Sequence, residues 1–101
     1  MDVTVEKEGE RYNLTIVGAI DNAGVEQLKS AFEDLYTSEP SDVRLNLSSV
    51  TTINSSGIGK ILMLYKNLRK EDGCLEIVGI SDNLMEIFQL IKLDKIISIR
   101  R

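Results

Sequence analysis

Val3 and Val5 alternate with polar neighbours, and so do Tyr12, Leu14 and Ile16, with Gly9 in the polar segment between the two runs. A period of two on either side of a turn residue predicts a β-hairpin with one buried face. The period then changes. Val25, Leu28, Phe32 and Leu35 recur at helical spacing, and Asn22 is placed to cap a helix beginning near Ala23. The loop TSEPSD, with Pro40 as breaker, ends it. Val43, Leu45 and Leu47 alternate strictly with Arg44, Asn46 and Ser48, which predicts a third strand. SSVTTINSS reads as the connection that follows, anchored by Val50 and Ile53.

A second helix is expected from near Ser55, with Ile58, Ile61, Leu62, Tyr65 and Leu68 as its apolar stripe. KEDG stops it, and Gly73 suits a left-handed C-terminal position. Cys74 to Ile80 reads as the fourth strand. Ser81, Asp82 or Asn83 caps a third helix whose stripe is Leu84, Ile87, Phe88 and Ile91, and Asn83 with Glu86 has capping-box spacing. Ile96 to Ile99 closes the chain as a strand. The order is ββαβαβαβ over residues 1–101, one domain without internal repeat. Strands separated by helices pair in parallel through right-handed crossovers. The alternation in the third strand leaves one sheet face wetter. The fold class expected is α/β, with a mixed sheet of about five strands, an antiparallel edge hairpin, and helices mainly on one face.

Composition narrows the function classes. The chain is 43% hydrophobic and 28% charged, with one proline and seven glycines, which fits a folded domain and not a linker. No apolar run is long enough to span a bilayer, and the first ten residues lack the basic and apolar regions of a secretory signal. The formal net charge is −4, so nucleic-acid binding is not expected. Lys60, Lys66, Arg69 and Lys70 read as a solvated helix face. One cysteine cannot make an internal disulfide; Cys74 reads as a small buried hydrophobe in a strand, which suits a reducing cytoplasm.

One stretch invites chemistry: VTTINSSGIGKIL, residues 50–62, sets two serines and two glycines between a strand and a helix. A P-loop needs glycine where Asn54 stands and serine or threonine where Ile61 stands. A dinucleotide fingerprint needs glycine or alanine at Leu62. A serine nucleophile needs a base, and the chain has no histidine; Ser56 and Lys60 miss the S-x-x-K spacing by one residue. Without histidine and with one cysteine, no metal site is expected, and no cofactor. No enzymatic activity is expected. What remains is a helix mouth, where unpaired N–H groups and the helix dipole favour negative charge. Asn54 or Ser55 could simply cap the helix there. A phosphoserine is the other reading, and helix physics alone does not choose between Ser55 and Ser56.

The residues LNLSSVTTINSSGIGKILMLYKNL resemble the signature of the STAS domain, the module of sulfate transporters and anti-sigma factor antagonists. That pattern is a strand ending in L-x-L, a short loop, and D-S-S-G-[LI]-G opening a helix. Here it reads Asn54-Ser55-Ser56-Gly57-Ile58-Gly59. LTIVGAIDNAGVEQLK, with Gly18 and Asp21, and CLEIVGISDNLMEIFQLIKLDKII are similar to the preceding and following parts of the family fold. The resemblance implies a stand-alone bacterial anti-sigma factor antagonist working by partner switching in the cytoplasm. Its partners would be an anti-sigma factor that is also a serine kinase, and a phosphatase that resets the phosphorylated form. Ser55 matches the phosphoacceptor. Asp21, Asn54, Ser56, Gly57, Ile58 and Gly59 fall on the implied partner surface. Asn54 departs from the usual aspartate and removes one negative charge beside the acceptor. The alternative is a non-phosphorylated STAS scaffold or accessory subunit of a signalling assembly or transporter. The oligomeric state is left open.

Overall fold

A computed structural model describes residues Met1–Arg101. Strands β1 (Asp2–Glu8) and β2 (Arg11–Ile20) form the expected antiparallel hairpin, with Glu8 facing Arg11 across the turn. Helix α1 (Asn22–Tyr36), strand β3 (Asp42–Ile53), helix α2 (Ser55–Lys70), strand β4 (Cys74–Val78), helix α3 (Asp82–Leu90), a one-turn 3-10 helix (Leu93–Lys95) and strand β5 (Ser98–Ile99) follow. The sheet order is β1-β2-β3-β4-β5, and every pair after the hairpin is parallel. The ββαβαβαβ order and mixed sheet are therefore as the periodicities predict.

Parallel register puts Leu14, Leu45 and Ile77 side by side on one face. They belong to a single core of 23 buried hydrophobic residues that includes Leu28, Phe32, Ile61, Leu64, Leu68 and Phe88 from the three helices. No polar or charged side chain is buried in it. The opposite face is wet, and its cross-strand neighbours pair by charge. The Arg11 Nε donates to Asp42 at 3.2 Å and the Arg44 Nε to Glu76 at 2.8 Å, with Arg100 3.4 Å from the same carboxylate. Half-exposed pairs like these each contribute at most about 1 kcal/mol. They mainly keep this face polar and the core on the other side.

Several details differ from the sequence reading. The segment after Leu47 is not a loop: β3 runs on to Ile53. Thr15 and Val17 of β2 face Asn46 and Ser49, and Gly18 and Ala19 face Val50 and Thr52, so β3 carries an extra residue at two places. Each bulge resets the alternation. Leu47, Val50 and Ile53 all stay buried at a spacing of three, while Ser48, Ser49, Thr51 and Thr52 are exposed. Cys74 is exposed, not buried, because it begins β4 on the wet face. Partial desolvation, and then the Asp42 carboxylate 3.5 Å from its sulfur, push its pKa above the usual thiol value. The left-handed residue ending α2 is Asp72 (φ 57°), not Gly73. The Gly73 N–H donates to the Leu68 carbonyl at 2.7 Å, completing a Schellman turn. Gly73 is needed because a Cβ there would sit 2.6 Å from the Ser41 carbonyl oxygen. Lastly, the helix faces are rotated slightly. Leu64 is buried in α2, while Ile58, Leu62 and Tyr65 are half-buried against the core. In α3 Met85 is buried and Ile87 and Ile91 are exposed. Ser81 is the α3 cap, its hydroxyl accepting from the Leu84 N–H at 3.3 Å, and the Asn83–Glu86 capping box does not form. The closing strand shrinks to Ser98–Ile99 because the 3-10 turn precedes it.

Candidate functional site

Strands β2 and β3 end side by side, Ile20 opposite Ile53, and each turns directly into a helix. The two helix mouths therefore lie together at the C-terminal ends of two interior strands. Asp21, not Asn22 as the sequence suggested, caps α1: its Oδ1 accepts from the Gly24 N–H at 2.8 Å and its carbonyl from Val25 at 2.8 Å. Asn54 does the same for α2, its Oδ1 accepting from the Gly57 N–H at 2.8 Å and its carbonyl from Ile58 at 3.1 Å. Both residues have the extended backbone that capping requires.

Asn54 also ties the two mouths together. Its backbone N–H donates to the Ile20 carbonyl at 2.9 Å, and its Nδ2 donates to the Asn22 Oδ1 at 3.1 Å. The capping bond fixes which end of the amide is oxygen, so the other end is a donor. Aspartate in this place could cap α2 equally well but has no N–H to give Asn22. Asn22 thus acts not as a cap but as the receiver of a bond from the neighbouring loop. The sequence held one signal of this: an asparagine at each helix start, one of them in place of an acid.

Ser55 and Ser56 are the first two residues of α2, and both are exposed. Asp21 and Ser55 are each one residue removed from the Asn22–Asn54 bond. Gly57 is buried: a Cβ there would lie 2.4 Å from Ile20 Cγ2 and 3.0 Å from Ile53 Cγ1. Its role is to let α2 start directly against the strand ends. Gly59 is different, being exposed with nothing within 4 Å of a would-be Cβ. Ile58 is half-buried against the core and anchors the turn between them. The arrangement brings Asp21, Asn54, Ser55 and Ser56 to one surface, holds Gly57 beneath it, and leaves Gly59 one turn along.

An open cleft runs between the loops, lined by Ile20–Ala23 and Thr52–Asn54. A shallow groove continues from Ser56 and Gly59 past Lys60 to Met63, with Val25 and Glu26 of α1 as its other wall. Thr52 and Met63 are not singled out by the sequence: the first falls in the expected connection, and the second lies outside the expected apolar stripe of α2. A roomier depression at the far ends of α1 and α2 is lined by Tyr36, Glu39, Pro40, Ser41, Asn67, Leu68 and Glu71. No group of three or more His, Cys, Asp or Glu side chains is placed to hold a metal. No helix is long and apolar enough to cross a membrane.

The family described as "Mlab, STAS domain" matches residues 3–99. An anti-sigma-B factor antagonist of Listeria monocytogenes is 28% identical over 95 residues, covering 94% of this chain and 83% of that protein. The crystal structure of an anti-sigma factor antagonist from Mycobacterium paratuberculosis superposes with a TM-score of 0.88 at 23% identity, over 98% of this chain and 84% of that one. The Bacillus cell fate determinant SpoIIAA in its phosphorylated form superposes with a TM-score of 0.76 at 19% identity, over 97% and 90% of the two chains. The family match spans nearly the whole sequence, includes the serine-glycine helix mouth, and agrees with the fold: the chain belongs to the STAS domain family.

Proposed function

We propose that this protein is an anti-sigma factor antagonist that works by partner switching in the bacterial cytoplasm. Unmodified, it binds an anti-sigma factor that is also a serine kinase; phosphorylated on Ser55, it is released, and a phosphatase resets it. The observation that carries this reading is the exposed Ser55 hydroxyl on the first residue of α2, beside the capped mouth of α1. The relatives described as anti-sigma factor antagonists support the partner class.

The partner surface in this reading comprises Asp21, Asn54, Ser56, Ile58 and Gly59 around Ser55; Gly57, expected there from the sequence, is buried beneath it and sets where α2 begins. A neutral hydroxyl there can be covered and hydrogen-bonded. A phosphate brings a charge of about −1.5 to −2. The free helix mouth accepts that charge, but docking would strip its water. An uncompensated charge at an interface costs several kcal/mol, roughly. About 1.4 kcal/mol is tenfold in affinity, so binding is lost without any refolding.

The test compares Ser55→Ala with Ser55→Asp. The alanine variant should bind the anti-sigma partner and gain no phosphate from it. The aspartate variant should bind at least roughly tenfold more weakly. Equal affinities would sink the charge switch. A second reading, a STAS subunit held in an assembly without a phosphorylation cycle, draws on Asn54, which gives up an acid beside the acceptor for a bond to Asn22. Intact mass after incubation with ATP and the cognate kinase separates the two: one added phosphate on the wild type and none on Ser55→Ala supports switching, and an unchanged mass supports the subunit.

A further inference from the structure

Helix α3 is apolar on two sides, and the chain uses one of them. Leu84, Met85 and Phe88 are buried. Ile87 is 37% exposed, Leu90 76% and Ile91 48%. Ile96, just past the 3-10 turn that packs on α3, is 48% exposed. Four of the seven large hydrophobic side chains left exposed thus fall within residues 87–96. A helix apolar around most of its circumference is normally covered on both sides. Clustered exposed apolar side chains mark an association surface where scattered ones do not.

Charge along the same element selects the occupant. Glu86 is exposed one turn before Leu90, and exposed Lys92 and Lys95 follow the helix end. Asp82 at the helix start is already paired with Arg101, and Asp94 between the two lysines is half-buried, so the free charges are an acid at mid-helix and bases beyond its C-terminal end, which make the face complementary to itself. A second copy turned about a two-fold axis near Leu90 sets Glu86 of each copy toward Lys92 and Lys95 of the other. It also runs the two helix dipoles antiparallel. A patch that meets itself in this way gives a closed dimer. A lipid surface would favour bases all along the polar rim, and Glu86 breaks that pattern. We propose that α3 docks on α3 of a second copy of this chain, with Leu90 at the centre of the contact. Because β3, β4 and β5 are parallel, α2 and α3 both lead away from the strand C-termini where Ser55 lies, so Leu90 sits toward the opposite end and the dimer leaves the phosphoacceptor open. The inference is independent of the phosphorylation cycle.

Sedimentation velocity from about 1 μM to 1 mM reads the equilibrium directly. The wild type should pass from monomer to dimer. Leu90→Glu should raise the dimer Kd about a hundredfold, since it places carboxylates at the centre of the contact. Its circular-dichroism melt should stay that of the wild-type monomer, because Leu90 is outside the core. Glu86→Lys should weaken the dimer, and adding Lys92→Glu and Lys95→Glu should restore it. A wild type that stays monomeric throughout overturns the proposal, as does a dimer whose Kd ignores these charge reversals. Vesicles of phosphatidylglycerol that bind the wild type but not Leu90→Glu, with the free protein monomeric, would assign the face to a membrane surface instead.

Discussion

Two glycines three positions into α2 and five positions in do different work, although the sequence presents them as a pair. Gly57 lies against Ile20 and Ile53, where a methyl group has no room. Gly59 meets nothing. Gly57→Ala is expected to destabilise the fold by about 1–3 kcal/mol, the usual cost of overpacking. Gly59→Ala should instead stabilise it by about 0.5–1 kcal/mol, because alanine loses less backbone entropy in a helix. Chemical denaturation of the two variants measures both; the same sign for each would contradict the packing described. If Gly59 serves a partner, its alanine variant will be the more stable protein and the weaker binder. At this scale much of the site was legible. Ser55 at a helix start follows from periodicity and capping chemistry. The Asn54–Asn22 bond did not, because it joins loops 32 residues apart and needs the strand ends to be adjacent. Asp21 and Asn22 are both competent caps, and one-residue choices of this kind are settled by backbone dihedrals that sequence does not specify.

Strand β3 shows why elements are harder to bound than to find. The strict alternation through Leu47 gave its first half. Beyond it, two extra residues break the period of two, and a strand then looks like a polar loop. The hidden regularity is Leu47, Val50, Ile53: one inward residue, then two outward, twice. This makes deletions diagnostic. Removing Thr51 erases one bulge yet leaves Val50 and Ile53 on the core side with their partners Gly18 and Ile20. Removing Asn46 from the regular half turns Leu47 outward and draws Ser48 in. The first deletion should leave a folded protein with a melting temperature near that of the wild type. The second should cost about 3 kcal/mol or more from the lost burial and the misplaced hydroxyl. Thermal melts followed by circular dichroism compare them, and equal losses would argue against the bulged register. Helix α3 failed for a related reason. With apolar residues at 84, 85, 87, 88, 90 and 91, several stripes are possible. Only burial in the common core and packing on the 3-10 turn selects Met85 over Ile87.

For the molecule as a whole, binding and stability around Ser55 should respond to charge in opposite directions. The first turn of α2 carries no acidic residue. A carboxylate introduced there interacts favourably with the helix dipole, typically by about 0.3–1 kcal/mol. For a domain of this size 1 kcal/mol moves the melting temperature by about 4–8 °C. Ser55→Asp should therefore melt at or a few degrees above the wild type while losing its partner. A variant that loses the partner because it unfolds would show a lower melting temperature. The element order, the mixed sheet with its antiparallel hairpin and the single core were readable in advance because local periods and right-handed crossovers leave few topologies; the order of the strands across the sheet was not. The sheet's two margins carry a separate consequence. Strand β1 offers a seven-residue outer edge, but Asp2, Glu6, Lys7 and Glu8 stud it with charge, and β5 at the far margin is two residues long. Charged or very short border strands resist being lengthened by foreign backbone. Fibrillar stacking and capture of extended peptides are thereby discouraged at both borders, and company must come to this molecule through its helical flank.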